Sequence, residues 1–278
     1  MLRRVRSLID RLKPVSAIPE RELDWILKHA RETKTNARLL IRERAAGKPL
    51  QLVLGTQPFL DLDIRCSEPV LIPRPETEQW CSWLAGVLEY KNEESQTVLE
   101  IGCGTGCISL SLAKYLPYYQ IIGIDIDDTA IRTSSENQRL HRISNVSFHK
   151  LSFFDSNLQS HLKALNAEKV DLLISNPPYI AEHEWHQLEP DVSRYESPRA
   201  LCSGHLGLDI IREIILRCRT HVSPRLPEDA RPSIVLEFGQ EYQVASIRYW
   251  MSEVGLNDID FKKDFSGRSR FVTARLTT

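Results

Sequence analysis

The spacing of apolar positions along the chain changes period several times, and those changes divide it. Near the start the apolar positions recur every three or four residues. Pro19 followed by Glu20 and Glu22 is a helix start, with Leu23, Ile26, Leu27 and Ala30 behind it on one face. A second helical stretch, roughly 34–46, stops at Gly47, a residue suited to closing a helix. The period then shortens to two. "PLQLVLG" (49–55) and "FLDLDIRC" (59–66) alternate apolar and polar residues as half-buried strands do, and predict a small hairpin. Helical spacing returns at "LIPRPETEQW" (71–80): Pro75, Glu76 and Glu78 open a helix whose buried stripe is Trp80, Trp83, Leu84, Val87 and Leu88.

From residue 97 short apolar runs alternate with amphipathic stretches. The predicted strands are TVLEI (97–101), QIIGI (120–124), VSF (146–148), VDLLIS (170–175) and SIVLEF (233–238), and the predicted helices are 107–116, 128–140, 206–221 and 240–254. Such alternation predicts an α/β fold, a mostly parallel sheet with helices on both faces. IDFKKD (259–264) and RFVTARL (270–276) have no helix between them and read as a terminal antiparallel hairpin. The expected organisation is a small helical region over 1–48, a β-hairpin linker over 49–70 and an α/β domain over 71–278.

Composition narrows the function. The chain has 278 residues, 42% hydrophobic and 26% charged, with a net charge of −1. A dedicated duplex-DNA binder usually carries a basic excess, so this balance argues against direct DNA contact. Six cysteines lie at irregular spacing with no C-x-x-C pair, which fits reduced thiols better than a disulfide framework or a zinc site. His183-Glu184-Trp185-His186 lacks the one-turn spacing of a helical zinc motif, so no metal is expected. No apolar run approaches the roughly 18 residues that span a bilayer. The first residues carry Arg3, Arg4, Arg6, Arg11 and Lys13 against the single acid Asp10, with Leu2, Val5, Ile9 and Leu12 on one helical face. That pattern suits a mitochondrial presequence and equally a first helix of the folded domain with a solvated basic face.

Two stretches carry chemistry. "VLEIGCGTG" (98–106) is a strand followed by a tight turn built on Gly102, Gly104 and Gly106. The third glycine of a dinucleotide-binding turn would fall at 107, which is Cys107, so the nicotinamide pattern fails by one position. Glu100 ends the strand and is placed to aim a carboxylate into the crevice. Asp125 ends the next strand, 19 residues after Gly106, where it can accept both hydroxyls of a ribose. Together these suit a nucleoside with a cationic far end and no pyrophosphate, a description that S-adenosylmethionine meets.

The second stretch is "LLISNPPYI" (172–180), an apolar strand running into Asn176-Pro177-Pro178-Tyr179. A planar amide or aryl amine nitrogen is a poor nucleophile because its lone pair is delocalised. Two acceptors drawing on its two N–H bonds favour a geometry that frees that pair. The Asn176 side-chain oxygen is one such acceptor, and the carbonyl of Pro177, held stiff by prolines, is the second. Tyr179 supplies a flat wall.

These residues resemble the HemK-type release factor glutamine methyltransferases. The likeness covers roughly residues 47–276 and includes "GKPLQLVLGTQPF", "VLIPRPETE", "VLEIGCGTG", "SNPPYI", "RYESPRAL", "GLDIIREII" and "DFSGRSRFV". NPPY alone is shared with DNA adenine-amine methyltransferases, so a DNA or RNA amine methyltransferase is the alternative; NPPY with IPRPETE is much more specific. The resemblance implies a class I, Rossmann-like methyltransferase with a seven-stranded sheet. It implies methyl transfer from S-adenosylmethionine to the side-chain amide of the glutamine in the Gly-Gly-Gln loop of a class I translation release factor, as a monomer with no membrane contact. The turn Gly102, Gly104, Thr105 and Gly106, with Glu100, Asp125 and Asn176, is then expected to bind cofactor. Asn176, Pro177, Pro178 and Tyr179 are expected to hold the glutamine. Phe153 matches a position that stacks near the adenine, and Arg74, Glu76 and Thr77 are expected to close over the substrate. Ser152 stands where an acid is common in the family. The GTQPF detail and the basic start are similar to mitochondrial members from fungi, so the expected place is the mitochondrial matrix, with the cytoplasm as the alternative.

Overall fold

A computed structural model of the chain describes residues 18–89 and 96–278. The basic amphipathic start lies outside the described residues. Three helices come first: α1 (Glu20–Thr33), α2 (Ala37–Ala45) and α3 (Leu50–Leu54). α1 begins with Glu20 and Glu22, whose charges favour the positive end of the helix dipole. α2 is capped by Asn36, whose side chain accepts from the Arg38 N–H at 3.0 Å. Ile26, Ile41 and Val53, one from each helix, form a small core, and Arg44 of α2 meets Glu22 of α1 at 2.6 Å.

The stretch 49–55, expected as a strand, is α3. Leu50, Leu52 and Leu54 alternate, but Leu50, Val53 and Leu54 also follow helical spacing, and these three face the small helical core. Pro49 before the first turn and Gly55 after it, in the left-handed region at φ 79°, decide the matter for helix. The hairpin starts later, as β1 (Thr56–Phe59) and β2 (Leu62–Arg65), which pair antiparallel.

After α4 (Pro75–Glu89) the chain alternates β3 (Thr97–Ile101), α5 (Cys107–Tyr115), β4 (Gln120–Asp125), α6 (Asp128–His141), β5 (Val146–Lys150), α7 (Leu158–Ala164) and β6 (Leu172–Ser175). A 3-10 turn over Glu182–Gln187 and the short helices α8 (Pro190–Tyr195) and α9 (Pro198–Leu201) follow β6. The chain then runs through α10 (Asp209–His221), β7 (Ile234–Glu237), α11 (Val244–Glu253), β8 (Asn257–Lys263) and β9 (Ser269–Arg275). The seven strands stand in the order β5-β4-β3-β6-β7-β9-β8. All pairs from β5 to β7 are parallel, and β9 runs against both its neighbours.

Strand alternation sorts the core into two layers. Leu99, Ile122, Leu173 and Leu236 face α10 and α11 through Ile211, Ile214, Ile247 and Met251. Val98, Ile121, Leu172 and Val235 face α4 and α5 through Trp80, Leu84, Ile108 and Leu112. Glu100 and Glu237 share the parity of Val98 and Val235, so both acids project into the second layer, where each is fully buried. They lie on β3 and β7, the two strands that flank β6.

Candidate active site

The carboxyl ends of β3, β4 and β6 open into a cleft of about 460 Å³, at the position where an open α/β sheet binds its ligands. It is lined by Gly102, Cys103, Gly104 and Thr105 on one wall, Asp125 to Asp127 and Leu151 to Phe154 on another, and Asn176, Pro177 and Pro178 at the far end.

The glycine turn has φ values of 69° at Gly102 and 79° at Gly106. A Cβ at Gly102 would meet nothing within 4 Å among the described residues, so the turn leaves open space above it for a ligand. Gly106 does something else: a Cβ there would sit 2.8 Å from the Phe148 ring and 2.9 Å from the Ser134 Cβ. It lets α5 pack close to β5 and α6, and it does not line the cleft. Thr105 is buried and its carbonyl accepts from Asn137 Nδ2 at 3.0 Å, which anchors the turn to α6.

Asp125 accepts from the Gly104 N–H at 2.9 Å with Oδ2 and from the Asp127 N–H at 2.9 Å with Oδ1. A carboxylate has about four acceptor positions, so two remain for a diol. Burial raises its pKa from the ordinary carboxylate value, against the two backbone donors. Glu100 reaches the cleft floor from below. Its Oε2 accepts from the Ser109 N–H at 3.0 Å and from the Ser109 hydroxyl, while its Oε1 is buried with no partner among the described residues. Desolvation pushes Glu100 up to about 8. A buried Glu100 oxygen without a partner among the described residues, an acid with acceptor positions to spare and a turn with open space above it together fit a nucleoside with a polar aminoacyl end. Phe153, 3% exposed, lines the same cleft, its ring held edge-on by Phe154 and 5.1 Å from His221.

Asn176 follows directly on β6. Its Nδ2 donates to Thr77 Oγ1 at 3.1 Å, and Thr77 donates to Glu237 Oε2 at 2.7 Å. Trp80 Nε1 donates to the same oxygen at 2.7 Å, and the Tyr179 hydroxyl reaches Glu237 Oε1 at 3.3 Å. Tyr179 therefore stands behind Pro177 and Pro178 rather than in the cleft lining. Its ring lies against Gly239, where a Cβ would come within 2.5 Å. Its carbonyl accepts from Gln243 Nε2 at 3.0 Å. Gln243 is fully buried and also binds the carbonyls of Leu206 and Gly207, while its oxygen accepts from the Gly239 and Gln240 N–H groups.

At the mouth, Arg74 lines the cleft and donates to Glu196 Oε1 at 2.6 Å; Glu196 Oε2 accepts from the Ile72 N–H at 3.2 Å. The Ser197 N–H adds a bond to the Pro69 carbonyl at 2.9 Å, so the segments 69–77 and 196–202 are laced together over the opening. Thr77 is buried at the base of this wall, and Glu76 is half-buried outside the cleft lining.

Sequence reasoning missed Glu237, Gln243 and Glu196. One signal was present: "SIVLEF" puts an acid at the carboxyl end of an apolar strand, the same placement that drew attention to Glu100 and Asp125. Among the described residues no cluster of three or more His, Cys, Asp or Glu is placed to hold a metal, and no helix is long and apolar enough to cross a membrane.

Residues 92–204 match the family model described as a methyltransferase domain. The chain is 35% identical over 246 residues to the human MTRF1L release factor glutamine methyltransferase, covering 86% of this chain and 70% of that protein. It is 33% identical over 239 residues to the release factor glutamine methyltransferase of Geobacter sulfurreducens, covering 85% of this chain and 76% of the relative. Among solved structures, the human Mettl16 catalytic domain bound to an RNA hairpin aligns with a TM-score of 0.59 at 14% identity over 86% of this chain and 81% of that one. A methyltransferase from Pyrococcus furiosus aligns with a TM-score of 0.53 at 15% identity, covering 87% of this chain and 98% of that one. At such identities the structural likeness speaks for the class I methyltransferase fold alone.

Proposed function

The chain belongs to the release factor glutamine methyltransferase family, and from that premise we propose that it methylates the side-chain amide nitrogen of the glutamine in the Gly-Gly-Gln loop of a class I translation release factor, with S-adenosylmethionine as donor. The observation that carries the reading is Asn176, at the end of β6 in the cleft lining, with its amide nitrogen bonded to Thr77, which leaves its oxygen as the acceptor for a ligand. An oxygen so placed accepts an N–H of the incoming carboxamide. The Pro177 carbonyl is the natural second acceptor, because the proline ring removes a donor and holds the backbone stiff.

Bound S-adenosylmethionine would supply an electrophilic methyl group on a sulfonium centre. On this chain's side, Asp125 would hold the ribose hydroxyls, the space over Gly102 and Gly104 would take the aminoacyl end beside the free oxygen of Glu100, and Phe153 would border the adenine. The protein's work is then placement: two fixed acceptors orient the nitrogen and Tyr179 backs the prolines, so that the reacting atoms are brought within roughly 3–3.5 Å. Among the described residues none beside Asn176 is arranged as a general base, and the methylated amide, having gained acidity, passes its proton to water.

The proposed compartment is the mitochondrial matrix, on the strength of the Arg-rich composition of residues 1–17. Import of the full chain into isolated mitochondria tests it, and retention in the cytoplasm would contradict it. The test of the activity is transfer of labelled methyl from S-adenosylmethionine to a recombinant release factor, with the loop glutamine intact or replaced. Label on the intact protein alone is expected. Label that survives the replacement, or label taken up by DNA or RNA in its place, would refute the reading.

A further inference from the structure

Behind Asn176 the protons are arranged in one sense. Glu237 is fully buried at the end of β7, and its Oε2 receives two donors, Thr77 Oγ1 and Trp80 Nε1, each at 2.7 Å. Thr77 has a single hydroxyl proton, and that proton is committed to Glu237. The Thr77 oxygen is thereby left as an acceptor, and Asn176 Nδ2 fills it at 3.1 Å. With its NH₂ tied back, the Asn176 amide presents its oxygen forward. Reversing the Thr77 proton would reverse the amide, and the site would then present an NH₂ group suited to a carboxylate instead of a carboxamide.

This sense survives protonation of the acid. Burial raises the Glu237 pKa. The bound proton would sit on Oε1, facing the Tyr179 hydroxyl at 3.3 Å, because Oε2 already receives the Trp80 N–H. Thr77 still donates to Oε2 in either state.

We propose that Glu237 is a positioning residue that acts through Thr77 to set the sense of the Asn176 amide, and so makes the site select glutamine over glutamate. The inference rests on the glutamine-methyltransferase reading above. Glu237 does not line the cleft. It reaches Asn176 through the Thr77 hydroxyl, its other oxygen receiving the Tyr179 hydroxyl, and the selectivity it sets is between two side chains of nearly equal shape, which a steric pocket separates poorly.

The experiment compares wild type with Thr77→Val, Thr77→Ser, Glu237→Gln and Glu237→Leu. Each is measured for kcat and KM on the release factor, for S-adenosylmethionine affinity by calorimetry, and for inhibition by the release factor whose loop glutamine is changed to glutamate. Thr77→Val keeps the shape and removes the hydroxyl. It is expected to lower kcat/KM on the order of 10- to 100-fold, to leave cofactor affinity within about twofold, and to narrow the glutamine-over-glutamate preference by about tenfold, which corresponds to one misdirected hydrogen bond. Thr77→Ser restores the hydroxyl. Glu237→Gln can keep its oxygen on Thr77 and Trp80 and turn its NH₂ to Tyr179. Both are expected to stay within a fewfold of wild type, and Glu237→Leu to follow Thr77→Val. Should Glu237→Leu fail to fold, the Val/Ser pair at 77 decides alone. Wild-type labelling together with an unchanged preference in Thr77→Val overturns this inference and leaves the parent reading standing. Absence of labelling by wild type overturns both.

Discussion

A side-chain amide can be turned over at little cost in shape, so the chemistry offered by Asn176 depends on what holds its nitrogen. In this chain that is Thr77, at 3.1 Å. Asn176→Ala removes the amide oxygen and is expected to lower kcat for release-factor methylation by a factor on the order of 10²–10³, as loss of one preorganised polar contact does elsewhere; single-turnover labelling measures it. Glu100 gives a prediction of another kind. Its carboxyl is pushed from 4.5 up to about 8 by burial, so the folded chain holds a proton that the unfolded chain has lost over that interval. By linkage its contribution to stability is fully present below the unfolded pKa and disappears as pH rises through the folded one. Glu100→Gln removes this dependence and can keep its oxygen on Ser109. Melting curves from pH 5 to 8 should show the variant gaining on wild type as pH rises, and a constant difference would contradict the assignment. Asn176, Asp125 and the glycine turn were legible in the sequence because each is announced by its immediate neighbours. Glu237 was not, because its partners Thr77 and Trp80 are 160 and 157 positions away, and only the sheet order brings them together.

At the level of elements, the chain's α/β alternation was readable from residue 97 onward. β3, β4, β6 and β7 are short apolar runs between turn residues, and their burial on both faces leaves little room for another reading. The stretch 49–55 was not readable by periodicity. Five residues satisfy a period of two and of 3.6 equally well, and Pro49 and Gly55 at the ends carried the information. The turn after β7 sets the position of Tyr179 through two contacts, the ring on Gly239 and the carbonyl on Gln243. Gly239→Ala would place a methyl 2.5 Å from the Tyr179 ring, an overpacking of the kind that costs about 1–3 kcal/mol. Urea titration should show that loss. Methyl transfer should fall with it, since the wall behind Pro177 and Pro178 is displaced, while cofactor affinity should hold because the glycine turn on β3 is untouched.

Across the whole molecule, two small motifs on separate strands become one site because β3 and β6 are hydrogen-bonded neighbours, with Glu100 opposite Ile174 and Ile101 opposite Ser175. The cofactor wall and the substrate wall are thus adjacent rungs of one sheet, and occupying one stabilises the frame of the other. S-adenosylmethionine at 100 times its Kd is expected to stabilise the fold by about 2.7 kcal/mol, and so to raise Tm by roughly 5–11 °C for a domain of this size. Thermal shift across a cofactor titration measures it, and a flat response would contradict the cleft as its binding place.

The strand order also constrains how the protein is born. β9 follows β8 in sequence, yet it lies between β7 and β8 in the sheet. Until residues 269–275 leave the ribosome, β8 has no partner and β7 has an unpaired edge, with Glu237, and everything lined up behind it, at that bare border. A nascent chain can assemble the nucleoside-binding half early, but its glutamine-gripping half must await the final strand. The expected consequence is that a chain arrested before β9 binds S-adenosylmethionine in an equilibrium-binding assay while transferring no methyl group.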